Sequence, residues 1–275
     1  MLQVISALRA AFRFRDYKPQ QVTFRRIRAW IKQFDKRDQK SAAQLLGKIL
    51  YFSEHETLKS LVSRNDALMR KLKNAGIPTK NMIYVQVHDA GSSSPLMLNI
   101  LRDTAGLERL GCNFVDSRDS LKLNELTNRL EEGAIIYVDD FVGTGNQFCG
   151  SRDFAMQSVV GNFAEFLLVP CICEEALYQL GAKGIEAVAG YVHSKAERPL
   201  HEYSTLFDAE TKMRLRDLCQ GIDRRAPLGY KDLATMVVLY RNAPNTIPAI
   251  FRGSLNQTPF AGVFPRTTDL PKRNI

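Results

Sequence analysis

Long apolar runs are missing from this sequence of 275 residues. No stretch approaches the roughly 20 apolar residues that a membrane-spanning helix needs, so we expect no membrane contact. Internal repeats and low-complexity tracts are also missing, and only the last residues, PKRNI, have a composition typical of disorder. The length and the ordinary hydrophobic content of 45 % therefore indicate one large globular domain, or one domain with an appendage.

Cysteine is scarce and irregularly spaced. The five residues are Cys112, Cys149, Cys171, Cys173 and Cys219. An odd number without a Cys-x-x-Cys pair argues against both a disulfide framework and a zinc site. Cys171 and Cys173 lie two apart on a predicted strand and therefore share one face of it. We expect buried, reduced thiols in a cytoplasmic protein.

Acidic residues are few at the front of the chain. Residues 1–80 contain 18 Lys and Arg but six Asp and Glu, a net charge of +12, whereas the rest has a net charge of −3. Two interpretations are open: a surface for a polyanionic partner, with nucleic acid first, or a solvated helical surface rich in lysine. The opening residues, MLQVISALRAAFRFRDY, lack an initial charged region and a small-residue cleavage site, so we interpret them as a basic amphipathic helix.

Helical periodicity dominates the first 80 residues. Apolar residues recur at helical spacing in residues 18–34, 38–52 and 56–76, and Gly76 has the position of a helix stop. Pro78 follows. We therefore place a boundary there, between a basic helical extension, 1–78, and a second domain, 79–275.

Short apolar runs alternate with helical segments from residue 81 onwards. The predicted strands are 82–87, 113–115, 134–138, 165–173, 185–192 and 235–240. The predicted helices are 95–102, 121–130, 146–159, 174–180 and 209–220. This alternation is typical of an α/β fold, in which helices cover both faces of a mostly parallel sheet.

Two acids and a glycine-rich turn directly follow a buried strand in residues 134–148, AIIYVDDFVGTGNQF. The glycines and the start of a helix favour a phosphate, to which Thr144 can add a hydroxyl hydrogen bond. Asp139 and Asp140 cannot face that phosphate without a cation, so their partners are sugar hydroxyls or Mg²⁺. A ribose 5-phosphate satisfies all these groups. The alternatives are a helix-capping turn beside two solvated acids, and a P-loop, whose spacing and lysine are missing.

The same stretch resembles the phosphoribosyl-pyrophosphate (PRPP) signature of the phosphoribosyltransferase (PRTase) fold, which is four hydrophobic residues, two acids, three variable residues and Thr-Gly-x-Thr. The resemblance implies a parallel-sheet type I PRTase core, with Asp139 and Asp140 as ribose-binding and catalytic acids that also contact the cofactor Mg²⁺. It also implies a 5′-phosphate loop, formed by Gly143, Thr144, Gly145, Asn146 and Gln147. Gln147 stands where the family has threonine, so the loop need not close in the usual way.

A second predicted strand that ends in a loop of small and polar residues lies in residues 84–98, YVQVHDAGSSSPLML. The loop at this place in the family binds pyrophosphate. The resemblance therefore implies a pyrophosphate-binding role for Ala90, Gly91, Ser92 and Ser93, and the alternative is an ordinary serine N-cap. His88 and Asp89 are candidate acid–base or Mg²⁺-orienting groups, although His88 is equally interpretable as a structural histidine.

The tail of the chain resembles a narrower group, the PRTase-like domains of bacterial conflict and anti-phage systems, some of them beside retron reverse transcriptases. The matching features are a Gly-Tyr turn at 229–230, an Asn-x-Pro-Asn segment at 242–245, Phe-Pro-Arg at 264–266 and a Trp-x-x-x-Phe helix at 30–34. The resemblance implies an effector or toxin in antiviral defence, with a nucleic-acid or nucleoprotein partner such as a reverse transcriptase complex. Asn242 and Asn245, together with Arg118, would belong to the substrate hood, although asparagines beside proline also simply make turns.

The chain departs from the family at the lid. Family members carry a long flexible loop before the strand with the acids, whereas residues 116–120, DSRDS, lead almost directly into a helix with Arg118 as the one cation. A short lid excludes water poorly, which disfavours transfer to a free base.

Three functions remain open on these residues. The first is an enzyme that cleaves or transfers at the ribose C1′ of PRPP or a nucleotide, as a phosphoribosyltransferase or a nucleotide N-glycosidase or pyrophosphorylase. The second is a nucleic-acid-associated effector or regulatory subunit, and the third is a non-catalytic nucleotide sensor. We favour the first two combined, as a defence effector with a PRTase-like site.

Overall fold

The computed structural model describes residues 2–87, 94–254 and 259–269. Its helices are α1 (Leu2–Arg13), α2 (Phe24–Lys32), α3 (Gln39–Gly47), α4 (Glu54–Asn74), α5 (Ser94–Ala105), α6 (Ser120–Leu130), α7 (Asn146–Met156), α8 (Glu174–Gly181), α9 (Ala209–Ile222) and α10 (Ala249–Arg252). Its strands are β1 (Leu50–Phe52), β2 (Met82–Gln86), β3 (Asn113–Asp116), β4 (Glu132–Val138), β5 (Phe141–Val142), β6 (Asn162–Cys173), β7 (Glu186–His193), β8 (Val237–Leu239), β9 (Gly253–Ser254) and β10 (Phe260–Ala261).

The chain forms two compact units. The split unit combines Met1–His55 with His193–Ile275, and the sheet unit is Glu56–Val192. This division differs from the boundary expected at residue 78. Leu61, Leu68 and Leu72 of α4 lie in the same apolar cluster as Met82 and Tyr84 of β2, so α4 belongs to the core of the sheet unit.

A parallel sheet is the framework of the sheet unit. Its strand order is β3-β2-β4-β6, and β5 and β7 both pair with β6. Parallel pairing sets Ile83 opposite Ile135, and Ile135 opposite Glu165. Successive residues of β2 and β4 point into two different apolar clusters, one on each face. Burial on both faces explains why these strands are almost continuously apolar in sequence. The predicted α/β fold with a mostly parallel sheet is confirmed.

One predicted helix is wrong at its end. The helix expected over 38–52 stops at Gly47, and Leu50–Phe52 form strand β1. That strand pairs in parallel with β8, with Leu50 opposite Val237 and Phe52 opposite Leu239. The partner strand is remote in sequence, so local periodicity could not reveal it. The apolar residues after Leu46 continue a helical spacing by coincidence.

The core of the split unit joins the front of the chain to its tail. Trp30 donates a hydrogen bond from Nε1 to the carbonyl oxygen of Ile250 at 2.7 Å and stacks on Phe251. Tyr17 donates its hydroxyl to the carbonyl oxygen of Pro265 at 2.8 Å. Phe264 packs edge-on against Tyr17 at a ring distance of 5.4 Å. Trp30, Phe34 and Phe264 belong to one core, in which Phe251 contacts both Trp30 and Phe264.

All five cysteines lie in the described part of the chain, buried and outside any disulfide, as predicted. Burial raises the pKa of the Cys219 thiol to about 12, which keeps it protonated. No helix among residues 2–87, 94–254 and 259–269 is both long and apolar enough to cross a membrane.

Candidate functional site

The loops after three strands leave from one edge of the sheet. Gln86, the last residue of β2, lies opposite Asp116 at the end of β3 and opposite Val138 at the end of β4. Ser94 is fully buried and connects two of these strand ends, because its hydroxyl donates to the carbonyl oxygen of Val138 at 2.5 Å and accepts from the N–H of Val87 at 2.8 Å. Ligands of open parallel sheets bind at such carboxyl edges.

Asp139 and Asp140 lie at this edge, directly after β4, as the sequence indicated. The N–H of Asp139 donates to the carbonyl oxygen of Leu168 at 3.2 Å, and Asp139 Oδ1 accepts from the N–H of Asp140 at 2.8 Å. Both residues are half-buried. Strand β5 follows at once, with Phe141 opposite Cys171. Strand pairing on both sides therefore fixes the backbone of the two acids.

A left-handed glycine begins the helix that follows. Gly145 has a φ of +85° and is the N-cap of α7, with no side chain to cap the first turn. The N–H groups of that turn and the positive end of the helix dipole therefore favour an anion. Thr144 Oγ1 accepts a hydrogen bond from the N–H of Asn146 at 3.3 Å. Asn146 and Gln147 are exposed, so their side chains face solvent rather than a closed loop.

The side chain of Gln179 on α8 contacts this turn. Its Nε2 donates to Asn146 Oδ1 at 2.9 Å. A Cβ added at Gly145 would lie 2.5 Å from Gln179 Oε1, so a larger residue would displace the Gln179 side chain as well as strain the backbone at its positive φ. Sequence reasoning missed Gln179, because the turn and α8 are separated by α7 and β6.

Helix α7 itself is anchored to β6 by a shielded ion pair. Arg152 Nε donates to Glu165 Oε2 at 2.7 Å, and the Arg152 and Glu165 side chains are 17 % and 9 % exposed. The hydroxyl of Tyr137 on β4 also donates to Glu165, at 3.0 Å. The hydrogen bonds to Glu165 raise the pKa of Arg152 above its ordinary value. This ion pair holds α7 against β6. It thereby also fixes the phosphate-favouring turn, which lies at the start of α7.

The connection between β3 and α6 is as short as the sequence predicted. It spans residues 117–119, and Asp119 caps α6 by accepting from the N–H of Lys122 at 3.1 Å. Arg118 forms a bidentate pair with Asp116, Nε to Oδ1 at 3.1 Å and Nη2 to Oδ2 at 2.9 Å. Hydrogen bonding to Asp116 raises the pKa of Arg118. The Arg118 guanidinium is therefore held beside Asp116, the last residue of β3.

A cavity of about 450 Å³ opens between this connection and α7. It is lined by Ser117, Arg118, Asn146, Gln147, Gly150, Ser151 and Phe154. Three of these residues, Arg118, Asn146 and Gln147, were predicted from sequence. The remaining wall on α7 was missed. A glycine in the middle of a helical pattern, Gly150, was the one signal that could have indicated it.

The other residues predicted from sequence fall into two groups. His88, Asp89, Ala90, Gly91, Ser92 and Ser93 lie outside the described residues. Asn242 and Asn245 belong to the split unit, where the Oδ1 of Asn242 accepts from the N–H of Thr267 at 3.4 Å and the carbonyl oxygen of Asn245 accepts from the N–H of Tyr230 at 2.9 Å. These are turn contacts, and the predicted hood role stays a prediction.

The site suits Mg²⁺ that is bound together with a phosphate-containing substrate. Within the described ranges, no group of three or more His, Cys, Asp or Glu side chains could hold a metal ion. Asp139 and Asp140 supply two adjacent carboxylates. Mg²⁺ is commonly bound through one or two carboxylates together with substrate phosphates and water, so this donor set suits an ion that arrives with its substrate.

Comparison with known proteins gives one family and a set of structures. A family model named PRTase-CE matches residues 27–266, most of the chain. Twenty-two chains of solved structures match, among them orotate phosphoribosyltransferase from Aeropyrum pernix, with 16 % identity and a TM-score of 0.29. That match covers 41 % of this chain and 58 % of the other, less than two thirds of its length. No curated protein matches.

Proposed function

Because the chain belongs to the PRTase-CE family, we propose that its sheet unit binds a phosphoribosyl compound, PRPP or a nucleotide, and breaks a bond at the ribose C1′. The observation that carries the proposal is the run from Asp139 to Gly145. Two half-buried acids on a fixed backbone lie next to a left-handed glycine, and this glycine is an N-cap without a side chain. The acids suit vicinal hydroxyls and the turn suits a phosphate, which are the two ends of a ribose 5-phosphate.

In the proposed reaction these residues mainly position the substrate. Asp139 and Asp140 accept hydrogen bonds from the 2′- and 3′-hydroxyls and hold the ribose while positive charge develops at C1′. Asp139 and Asp140 would hold Mg²⁺ together with the substrate, and the ion would supply positive charge for a departing pyrophosphate. Arg118 adds a cation near the same edge. The turn amides keep the 5′-phosphate in place throughout the reaction.

The short 117–119 connection favours hydrolysis over transfer. It is too short to cover the edge of the sheet and exclude water. In the hydrolytic reaction the bond from C1′ to the base or pyrophosphate breaks, water adds its oxygen to C1′, and the leaving group takes the proton. An N-glycosidase or pyrophosphohydrolase activity on a phosphoribosyl compound is therefore the proposed reaction class.

The test combines Asp139→Asn with Asp140→Asn. Released base or pyrophosphate is measured with Mg²⁺ and either PRPP or each common ribonucleotide. We expect turnover to fall at least ~100-fold, because charge stabilisation at a reacting centre is lost, while the midpoint of thermal unfolding stays close to that of the wild type. Full activity in the double variant would refute the proposal.

A matched control removes an exposed carboxylate from the same unit. Asp103 is a surface residue that pairs with Arg102, and Asp103→Asn should keep wild-type turnover. Wild-type protein that binds a nucleotide by calorimetry, loses binding in the double variant and forms no product would instead establish the non-catalytic sensor.

We also propose a nucleic-acid partner for the split unit. Helices α1, α2 and α3 contain no Asp or Glu, and their seven cations are Arg9, Arg13, Arg25, Arg26, Arg28, Lys32 and Lys40. Arg25, Arg28 and Lys32 are exposed and lie on one face of α2, since their spacing is i, i+3 and i+7. Such a face suits a phosphate backbone. The proposal agrees with the defence-effector role that the narrower resemblance implies.

The test changes the three cations of this face to alanine. Binding of fluorescent single-stranded RNA and duplex DNA is measured by anisotropy at several salt concentrations. We expect weaker binding and a salt slope that falls by about 2–3, because each lost phosphate contact removes roughly 0.7–0.9 from it. Alanine at Arg64, Arg70 and Lys73, exposed cations of α4, is the matched control and should leave the slope unchanged. An unchanged slope in the α2 variant would exclude this face.

A further inference from the structure

The cavity beside α7 adjoins the phosphate end of the proposed ligand and not its ribose end. Its lining includes Asn146 and Gln147, which begin α7, and continues along that helix to Phe154. Neither Asp139 nor Asp140 lines it. A ribose 5-phosphate with its hydroxyls on the two acids and its phosphate on the turn therefore ends where this cavity begins.

Gly150 leaves one part of the cavity wall without a side chain. It lies in the middle of α7, where glycine costs about 1 kcal/mol relative to alanine. A Cβ added there would have no neighbour within 4 Å, and Gly150 is not among the left-handed glycines. Neither packing nor backbone conformation thus requires a glycine. The position lines the cavity, so the glycine leaves the space beside it free for a ligand.

The other wall residues suit an aromatic ring attached through a phosphate. Phe154 is 50 % exposed on the cavity wall, which leaves a ring face for stacking. Asn146 and Gln147 offer amide donors and acceptors. Arg118 uses Nε and Nη2 for Asp116, and its Nη1 remains to donate to a second phosphate. A volume of about 450 Å³ is within the range of small-molecule sites and suffices for one nucleoside.

We propose that this cavity holds a second nucleoside joined through pyrophosphate to the 5′-position of the reacting ribose, so that the substrate class is a 5′,5′-linked dinucleotide. The inference rests on the proposed function, since it takes the ribose and first phosphate to lie at Asp139, Asp140 and the turn. The second base stacks on Phe154, its phosphate contacts Arg118, and its ribose passes over Gly150.

The experiment compares ligands that share adenosine 5′-phosphate. Calorimetry with the full chain and Mg²⁺ measures Kd for AMP, for diadenosine 5′,5′-diphosphate and for the 3′,5′-linked RNA dinucleotide ApA. We expect the diphosphate to bind at least ~10-fold more tightly than AMP, because stacking of one base on an aromatic side chain is worth about that factor or more. Phe154→Ala should remove most of this advantage and leave the affinity for AMP unchanged.

Gly150→Ala distinguishes a loss of binding in the cavity from a loss of folding stability. The substitution should raise the unfolding midpoint, because alanine favours the helix, yet weaken the diphosphate about 10-fold without affecting AMP. Gly221→Ala is the matched control: Gly221 is a helical glycine of α9, also with nothing within 4 Å of an added Cβ, and it should stabilise without changing any Kd.

Equal Kd values for AMP and the diphosphate, with AMP binding still dependent on Asp139 and Asp140, would overturn the inference and leave the proposed function intact. Tighter binding of ApA than of the diphosphate would overturn it in favour of a nucleic-acid strand. Binding of none of the three ligands would overturn the inference together with the nucleotide form of the proposed function.

Discussion

Gly145 has a left-handed backbone, and an added Cβ would meet Gln179 Oε1 at 2.5 Å. Gly145→Ala therefore has two costs: the positive φ, at about 1–2 kcal/mol for a residue with a Cβ, and displacement of the Gln179 side chain from Asn146. We expect the free energy of unfolding to fall by about 1–2 kcal/mol and phosphate ligands to bind more weakly. Urea denaturation and calorimetry with ribose 5-phosphate measure the two effects.

Gln179→Ala is the control for this prediction, because it removes the hydrogen bond to Asn146 and the atom that an added Cβ would meet, but not the positive φ. In the double variant the contact disappears and the backbone strain remains, so Gly145→Ala should still destabilise the Gln179→Ala protein. A Gly145→Ala protein with wild-type stability and affinity would contradict the structure of this turn.

Elements that are buried on both faces, or that carry a local start signal, could be predicted from the sequence. Strand β4 is such a case, since Ile135, Ile136 and Tyr137 are consecutive and all fully buried. Asp139 and Gly145 were recognised with it, because the strand, the acids and the turn are contiguous in the chain. Local pattern is sufficient when every participant in a structure lies within one short segment.

Elements whose partner is remote could not be predicted in this way. Strand β1 follows a true helix without a break in apolar spacing, and only pairing with Val237–Leu239 makes it a strand. Gln179 reaches the candidate site from α8, and Phe154 reaches it from the second half of α7. Their side chains have no local signature, since each is an ordinary exposed or half-buried helical residue until the neighbouring elements are in place.

At the scale of the whole molecule, each compact unit contains its own core. The apolar cluster of the split unit draws its residues from both ends of the chain, for example Trp30 and Phe264. Both clusters of the sheet unit lie entirely within residues 56–192. Units with a complete core can fold alone, whereas half a core cannot.

Two fragments test this organisation. Residues 56–192, expressed alone, should unfold cooperatively on heating, because all residues of its two clusters are present. Residues 1–78, the helical extension expected from sequence, should show no cooperative transition, since Trp30 lacks Phe251 and the carbonyl of Ile250. Circular dichroism during heating measures both. A cooperative transition in fragment 1–78 would support the boundary predicted at residue 78.

The insertion of the sheet unit within the split unit also sets an order of events on the ribosome. The sheet unit is complete once residue 192 has emerged, whereas β1 waits for β8 and Trp30 waits for the segment that contains Phe264. Domains generally fold as units while synthesis proceeds, so α1, α2 and α3 are made before the sheet unit but packed after it. Until then the basic helices lack the partners of their apolar side, and the basic face of α2 acquires its final shape only after Phe264 has emerged.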